Sequence, residues 1–244
     1  MKIIIVRHAD PDYEHDSITE KGKIEASLLA DYLCKYYPQI DNVFCSTFGR
    51  AKATIAPYLN KSGKEALYLN WLIEFLTKAH RPDINEEWGL AWDILPEYVS
   101  SHPKLFSPTE WMKEELYAGT DVYPTFKEIG ENLDLILAMN GYSREENIYT
   151  SNEGNHKTLL FACHFGVECV LLAHLLNCSP VTFWLGSVAL PSSITVLNTE
   201  ERRKGIVSFR METFGSIPHL RIANTEPSFA ARFCECFEDK TRHD

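Results

Sequence analysis

Short apolar runs alternate along the chain with stretches whose apolar residues recur at helical spacing. Ile3–Val6 is a β-branched run without a polar residue, the pattern of a strand buried on both faces. After a polar loop, Thr19 can cap a helix over Glu20 to Tyr36, with Ala26, Leu29, Ala30 and Leu33 on one face and Pro38 ending it. Asp41–Cys45 predicts a second strand. Ser46 or Thr47 then caps a helix running to about Lys61, and Ala66–Leu69 forms a third strand. Thr158–Cys163 is the clearest later strand, followed at once by an apolar helix over Val167–Leu176. Ser193–Leu197 and Ile206–Glu212 predict a closing antiparallel pair. Strands alternating with helices indicate an α/β sheet covered on both faces, whose ligands bind at the carboxyl ends of the strands.

The segment from about Phe75 to Pro124 breaks this alternation. It holds Trp88, Trp92 and Trp111, five prolines and no convincing strand. Four basic side chains there face nine acidic ones. It is expected to be a helical insertion lying over the sheet's edge, its aromatics forming its own core. The main domain then spans residues 1–221, and a tail over 222–244 carries a short helix around Phe229–Phe237.

With 244 residues, 45% of them hydrophobic, the chain can bury a sizeable core as one large domain with an insertion. A formal charge of -10 argues against a nucleic-acid or anionic-membrane partner and leaves room for a local basic pocket that takes a small anion. The seven cysteines form no C-x-x-C, which suits reduced thiols in a cytosolic protein. The start of the chain lacks a signal-peptide pattern, and no run reaches membrane-spanning length. A cytoplasmic protein is expected.

Candidate chemistry gathers at strand ends. Arg7-His8 follows the first strand, offering a guanidinium fork for phosphate oxygens beside an imidazole that can act as base or nucleophile. His164 follows the Thr158–Cys163 strand at a helix start, where backbone N–H groups favour an anion. Arg50 lies one turn into the helix after Cys45-Ser46-Thr47. Glu74, set among Trp71, Ile73 and Phe75, is placed for a raised pKa and a general-acid role, with Asp10, Glu86 and Glu87 as rivals. Together these groups fit phosphoryl transfer: attack by His8, phosphate oxygens held by Arg7, Arg50 and His164, and protonation of the leaving oxygen by Glu74.

Val6-Arg7-His8-Ala9-Asp10 resembles the Arg-His signature of the histidine phosphatase, or phosphoglycerate-mutase-like, superfamily. In order along the chain, Ile18-Thr19-Glu20-Lys21-Gly22 is similar to that family's Leu-Thr-x-x-Gly. Ser46 to Thr54 is similar to its Ser-x-x-x-Arg-Ala-x-x-Thr, Cys163-His164-Phe165-Gly166 to its second His-Gly, and Phe214 to Leu220 to its closing His-Leu segment. The resemblance implies a three-layer α/β/α sandwich with a mostly parallel central sheet. It also implies a phosphohistidine at His8, no metal or other cofactor, phosphate held by Arg7, Arg50 and His164, and an acid at Glu74. Departures are Ala9 in the place of the usual glycine, and Pro11 to Glu14 where the mutases carry Ser/Thr-x-x-Asn. The acidic mouth disfavours a substrate with two phosphates, so a hydrolase acting on a small phosphorylated metabolite is expected ahead of a phosphomutase. A non-catalytic binding module on the same fold is a third reading, disfavoured because both histidines and both arginines are present. Nucleotide-binding loops and serine-hydrolase elbows have no matching motif. His164 with Glu168, and His15 with Asp16, do not make up a metal site.

Overall fold

The computed structural model describes residues 1–84, 86–230, 232, 233 and 236–238. In chain order it runs β1 (Lys2–Arg7), β2 (Pro11–Asp12), β3 (Ser17–Ile18), α1 (Glu20–Tyr36), β4 (Asn42–Ser46), α2 (Gly49–Ser62) and β5 (Ala66–Leu69). Next come β6 (Lys78–Arg81), β7 (Glu86–Leu90), α3 (Pro96–Ser101), α4 (Val122–Met139), β8 (Ser143–Glu145) and β9 (Ile148–Thr150). The chain continues through β10 (Thr158–Cys163), α5 (Phe165–Leu176), α6 (Val181–Gly186), β11 (Ile194–Arg203), β12 (Ile206–Ser216) and α7 (Pro218–Ile222).

An eight-stranded sheet in the order β5-β4-β10-β1-β11-β12-β9-β8 forms the middle layer. Its site-bearing half, β5, β4, β10 and β1, pairs in parallel, and the other half continues antiparallel from β11. The alternation along β1 sets the layering. Ile3 and Ile5 face a core shared with α4, α5 and α6, whereas Ile4 and Val6 face one shared with α1 and α2. This is the expected three-layer α/β/α arrangement. The β11–β12 pair matches the expected closing hairpin, and the small β8–β9 hairpin extends it beyond what the apolar pattern indicated.

Several local expectations need correction. The segment read as wholly helical opens with a two-stranded hairpin, β6 against β7. These strands are four and five residues long and carry charged side chains, so no apolar period marks them. Buried Arg81 is accommodated by a two-pronged ion pair with Asp83, Nε to Oδ1 at 2.7 Å and Nη2 to Oδ2 at 2.9 Å. Nor do the aromatics of this segment form a separate core. Trp111 and Tyr117 join the cluster that covers the sheet, Trp92 packs against it, and Trp88 lies exposed beside His80. The segment's end at Pro124 falls inside α4, a helix the sequence reading did not single out. The tail helix expected around Phe229–Phe237 lies partly outside the described residues, and the described ones there are not helical. Cys234 and His243 also lie outside them.

Thr19 caps α1 as expected, its Oγ1 accepting from Gly22 N at 3.1 Å. Gly22 must be small, since a Cβ there would sit 2.5 Å from the carbonyl oxygen of Asp10. The helix can therefore press directly on the loop after β1. The expected cap of α2 does not form. Phe48 occupies the cap position without a side-chain bond, and the carboxylate of Asp16, distant in sequence, accepts from Gly49 N at 2.6 Å.

Candidate active site

Parallel register brings the strand ends together. Arg7 of β1 lies opposite Cys163 of β10, so His8 and His164 emerge side by side, with ring centroids 5.1 Å apart. Cys45 of β4 lies opposite Ala162, which sets Ser46 beside His164, Oγ to Nε2 at 2.8 Å. Arg50, on the first turn of α2, returns to the same edge, its guanidinium 4.7 Å from the ring centre of Phe48, which in turn packs edge-on against His164. Arg7, His8, Arg50 and His164 are all buried, none more than 9% exposed.

The main chain around His8 is held from both sides. His8 N donates to Cys163 O at 2.9 Å, and His8 O accepts from Ser192 N at 3.0 Å. Ser192 has a left-handed φ of 61° and is buried, with its hydroxyl 2.9 Å from His219 Nε2. The ring of His8 is fixed too. Nδ1 lies 2.9 Å from the carbonyl oxygen of Ala9, which only accepts, so Nδ1 carries the hydrogen and Nε2 has the free lone pair. Burial, reinforced by the Arg7 and Arg50 charges, drives the His8 pKa well below its ordinary value. His164 is lowered likewise, by burial and then by His8, Arg50 and Arg7. Both imidazoles are neutral near pH 7.

The two guanidinium groups are only partly engaged. Arg7 Nη1 donates to Ala189 O, and Arg50 Nη1 pairs with Asp16 Oδ1 at 2.8 Å. Arg7 Nε, Arg50 Nε and His164 Nδ1 are buried without a partner. Buried polar groups are nearly always satisfied, so the two guanidinium Nε–H groups, which can only donate, beside this pair of histidines fit an acceptor-rich ligand.

Glu74 reaches the cluster from the fourth strand end, after a 3₁₀ turn over Asn70–Leu72. Its Oε1 accepts from Phe75 N at 2.8 Å and from Val167 N, in the first turn of α5, at 3.2 Å. Burial raises its pKa, and the two N–H groups together with Arg7 and Arg50 offset part of that rise. A cavity of about 530 Å³ is lined by Glu74 with Trp71, Lys78, Asp121, Thr125 and Glu128; neither His8 nor His164 lines it. The rivals to Glu74 are placed elsewhere. Asp10 accepts from Thr19 and Ser228, and Glu86 and Glu87 lie exposed on β7.

Every candidate site residue thus lies in one cluster: Arg7, His8, Arg50, Glu74 and His164. Sequence reasoning did not find Asp16, Ser192 and His219 as supports. It also passed over Glu168, buried on α5 and raised to about 7 by burial, with Thr195 and Arg7 lowering it and Glu74 raising it. The only sequence signals were the His164–Glu168 spacing and the closing His-Leu, neither of which states a role. Among the described residues no group of three or more His, Cys, Asp or Glu is arranged to hold a metal ion, and no helix is long and apolar enough to cross a membrane.

No protein-family model matches the sequence. A Schizosaccharomyces pombe protein described as a "Probable phosphatase" is 25% identical over 240 residues, covering 92% of this chain and 98% of its own. Among solved structures, the phosphoserine phosphatase of Entamoeba histolytica, an H9A mutant with phosphoserine, is similar with a TM-score of 0.57 and 16% identity, over 90% of this chain and 98% of that one. A mycobacterial glucosyl-3-phosphoglycerate phosphatase complexed with VO3 is similar with a TM-score of 0.55 and 17% identity, over 88% and 99%. The chain has the fold of the histidine phosphatase superfamily, the family that its motifs resemble.

Proposed function

We propose that this protein is a phosphatase that hydrolyses a small phosphomonoester through a phosphohistidine formed on His8. The observation that carries the proposal is the set of buried nitrogens without a partner, Arg7 Nε, Arg50 Nε and His164 Nδ1, gathered about a neutral imidazole with a defined nucleophilic nitrogen. The Schizosaccharomyces pombe relative and the two solved structures named above, each described as a phosphatase, support the same activity.

In this mechanism His8 Nε2 attacks phosphorus opposite the leaving oxygen. The new N–P bond forms as the P–O bond to the alcohol breaks. Arg7 and Arg50 neutralise charge on the non-bridging oxygens. The Ser46 hydroxyl, by donating to His164 Nε2, leaves the proton of that ring on Nδ1 for the same oxygens. Glu74, whose pKa burial raises, gives its proton to the leaving alcohol in this route. Water then attacks the phosphorus of the phosphohistidine, the N–P bond breaks and restores His8 Nε2, Glu74 accepts a proton from the water, and inorganic phosphate leaves.

The test is hydrolysis of p-nitrophenyl phosphate by the wild type and by His8→Ala, with and without EDTA. Activity that survives EDTA and is absent from the variant is expected, and acid-labile ³²P bound to the wild type after a quench would identify the intermediate. Full activity in His8→Ala refutes the route. Glu74→Gln is expected to slow alkyl phosphates more than p-nitrophenyl phosphate, whose leaving group needs no proton; equal losses would move the acid to another residue. Transfer of phosphate to an isomeric position, stimulated by a bisphosphorylated primer, would instead establish a mutase.

A further inference from the structure

The stretch after α7 turns back onto the nucleophile loop and is pinned there. Ser228, only 2% exposed, donates from Oγ to Asp10 Oδ1 at 2.7 Å and from its main-chain N to Glu25 Oε1 at 3.0 Å. The other oxygen of Glu25, itself fully buried, accepts from Asp10 N at 2.9 Å, so this anchor is built on the residue two beyond His8. Lys21 Nζ and Arg232 Nη2 both donate to Pro227 O, and Arg232 Nε donates to Ser228 O, which folds the stretch over its anchor.

Phe233 follows, with a left-handed φ of 48° that is uncommon for a bulky residue. Its ring lies 5.3 Å from that of Phe165, tilted by 40°, and 6.3 Å from that of Trp92, nearly edge-on. Phe165 carries the Arg7 guanidinium 5.7 Å from its ring centre. Trp92 Nε1 donates to Phe75 O at 3.0 Å, immediately after Glu74. The ring cluster thus borders both the arginine that would hold phosphate, through Phe165, and the carboxyl that would protonate the leaving oxygen, through Trp92. Phe233 itself is 39% exposed.

We propose that Phe233, held in place by Ser228 and backed by the buried ring of Phe165, joins Trp92 as an aromatic wall for the leaving group, and that the enzyme selects phosphomonoesters whose alcohol bears a flat apolar group. This rests on the phosphatase reading and adds the substrate class. A ring offers its face or edge to such a wall at little entropic cost, which a polar, flexible alcohol does not match. Phe233 is a specificity residue touching the substrate, and Ser228 is a positioning residue acting through it.

The experiment compares 2-phenylethyl phosphate with n-butyl phosphate, whose leaving alcohols have similar basicity, so the ratio of kcat/KM values reads the wall and not leaving-group chemistry. The wild type is expected to prefer the phenyl ester, mainly in KM. Phe233→Ala should cut that preference by about 3- to 10-fold, and Phe233→Leu, which keeps apolar volume without a flat ring, by less. Ser228→Glu sets a third carboxylate against Asp10 and Glu25 and should lower the preference to a similar extent. Added to Phe233→Ala it should lower it no further, because the two act as one unit. Thermal melting of each variant checks the fold. An unchanged preference in Phe233→Ala, with both esters still hydrolysed through His8, overturns the wall and leaves the phosphatase reading intact. No hydrolysis of either ester by the wild type overturns both.

Discussion

Replacing His219 by glutamine tests how the support behind His8, the proposed nucleophile, responds to pH. His219 is 3% exposed, and burial lowers its pKa from 6.5 to about 4. As pH falls below 6.5, the unfolded chain takes up a proton at this site while the folded protein stays neutral there. Stability supported by the neutral ring is complete above pH 6.5 and is lost as pH falls towards 4. Linkage across that interval puts the loss at about 2 kcal/mol between pH 7 and pH 5, and at about 3 kcal/mol once pH is below 4. Glutamine can still bond the Ser192 hydroxyl and does not titrate. His8 and His164, also lowered, are present in both proteins and cancel in the comparison. Urea unfolding at pH 7, 6 and 5 should show the wild type losing about 2 kcal/mol more than His219→Gln over this range. The consequence for function is local, since Ser192 N holds His8 O. If both proteins lose the same stability between pH 7 and pH 5, His219 is already protonated in the folded state or is not buried as described, and the reasoning fails.

Ser46→Ala removes the hydroxyl 2.8 Å from His164 Nε2 and should lower kcat/KM about tenfold, the worth of one buried hydrogen bond; a wild-type rate would remove Ser46 from the site. Asp16→Ala frees Arg50 and uncaps α2 at once. It should raise KM several-fold and cost about 1 kcal/mol of stability, whereas Asp16→Asn, which keeps an oxygen for Gly49 N, should retain most of the stability and lose the same KM; denaturation and steady-state kinetics separate the two effects. Gly166→Ala places a Cβ 2.6 Å from Glu74 Oε1 and 3.0 Å from Trp92. Displacing Glu74, the proposed acid, should slow alkyl phosphates roughly tenfold more than p-nitrophenyl phosphate, and equal slowing would refute that role.

The elements around the site were legible because their physics is local. Ile3–Val6 and Thr158–Cys163 are apolar throughout, as strands covered on both faces must be, and Thr19 with Gly22 marks the start of α1 through short-range bonding and close approach. Arg7, His8, Arg50 and His164 could be found because a parallel sheet collects its strand ends at one edge, so order along the chain implied proximity in space. The β6–β7 hairpin was not legible, since a buried arginine paired to Asp83 leaves no apolar period. The groups that complete the site depend on distance in space alone. Asp16 caps α2 and holds Arg50, Ser192 and His219 fix the main chain of His8, and Ser228 reaches Glu25 from the far end of the chain. Each is a polar side chain of a type common in surface loops. The sequence by itself determined which groups could carry phosphoryl chemistry and the edge at which they gather. Only the tertiary structure decided their protonation and their partners, because burial and long-range hydrogen bonds leave no periodic trace in the order of residues.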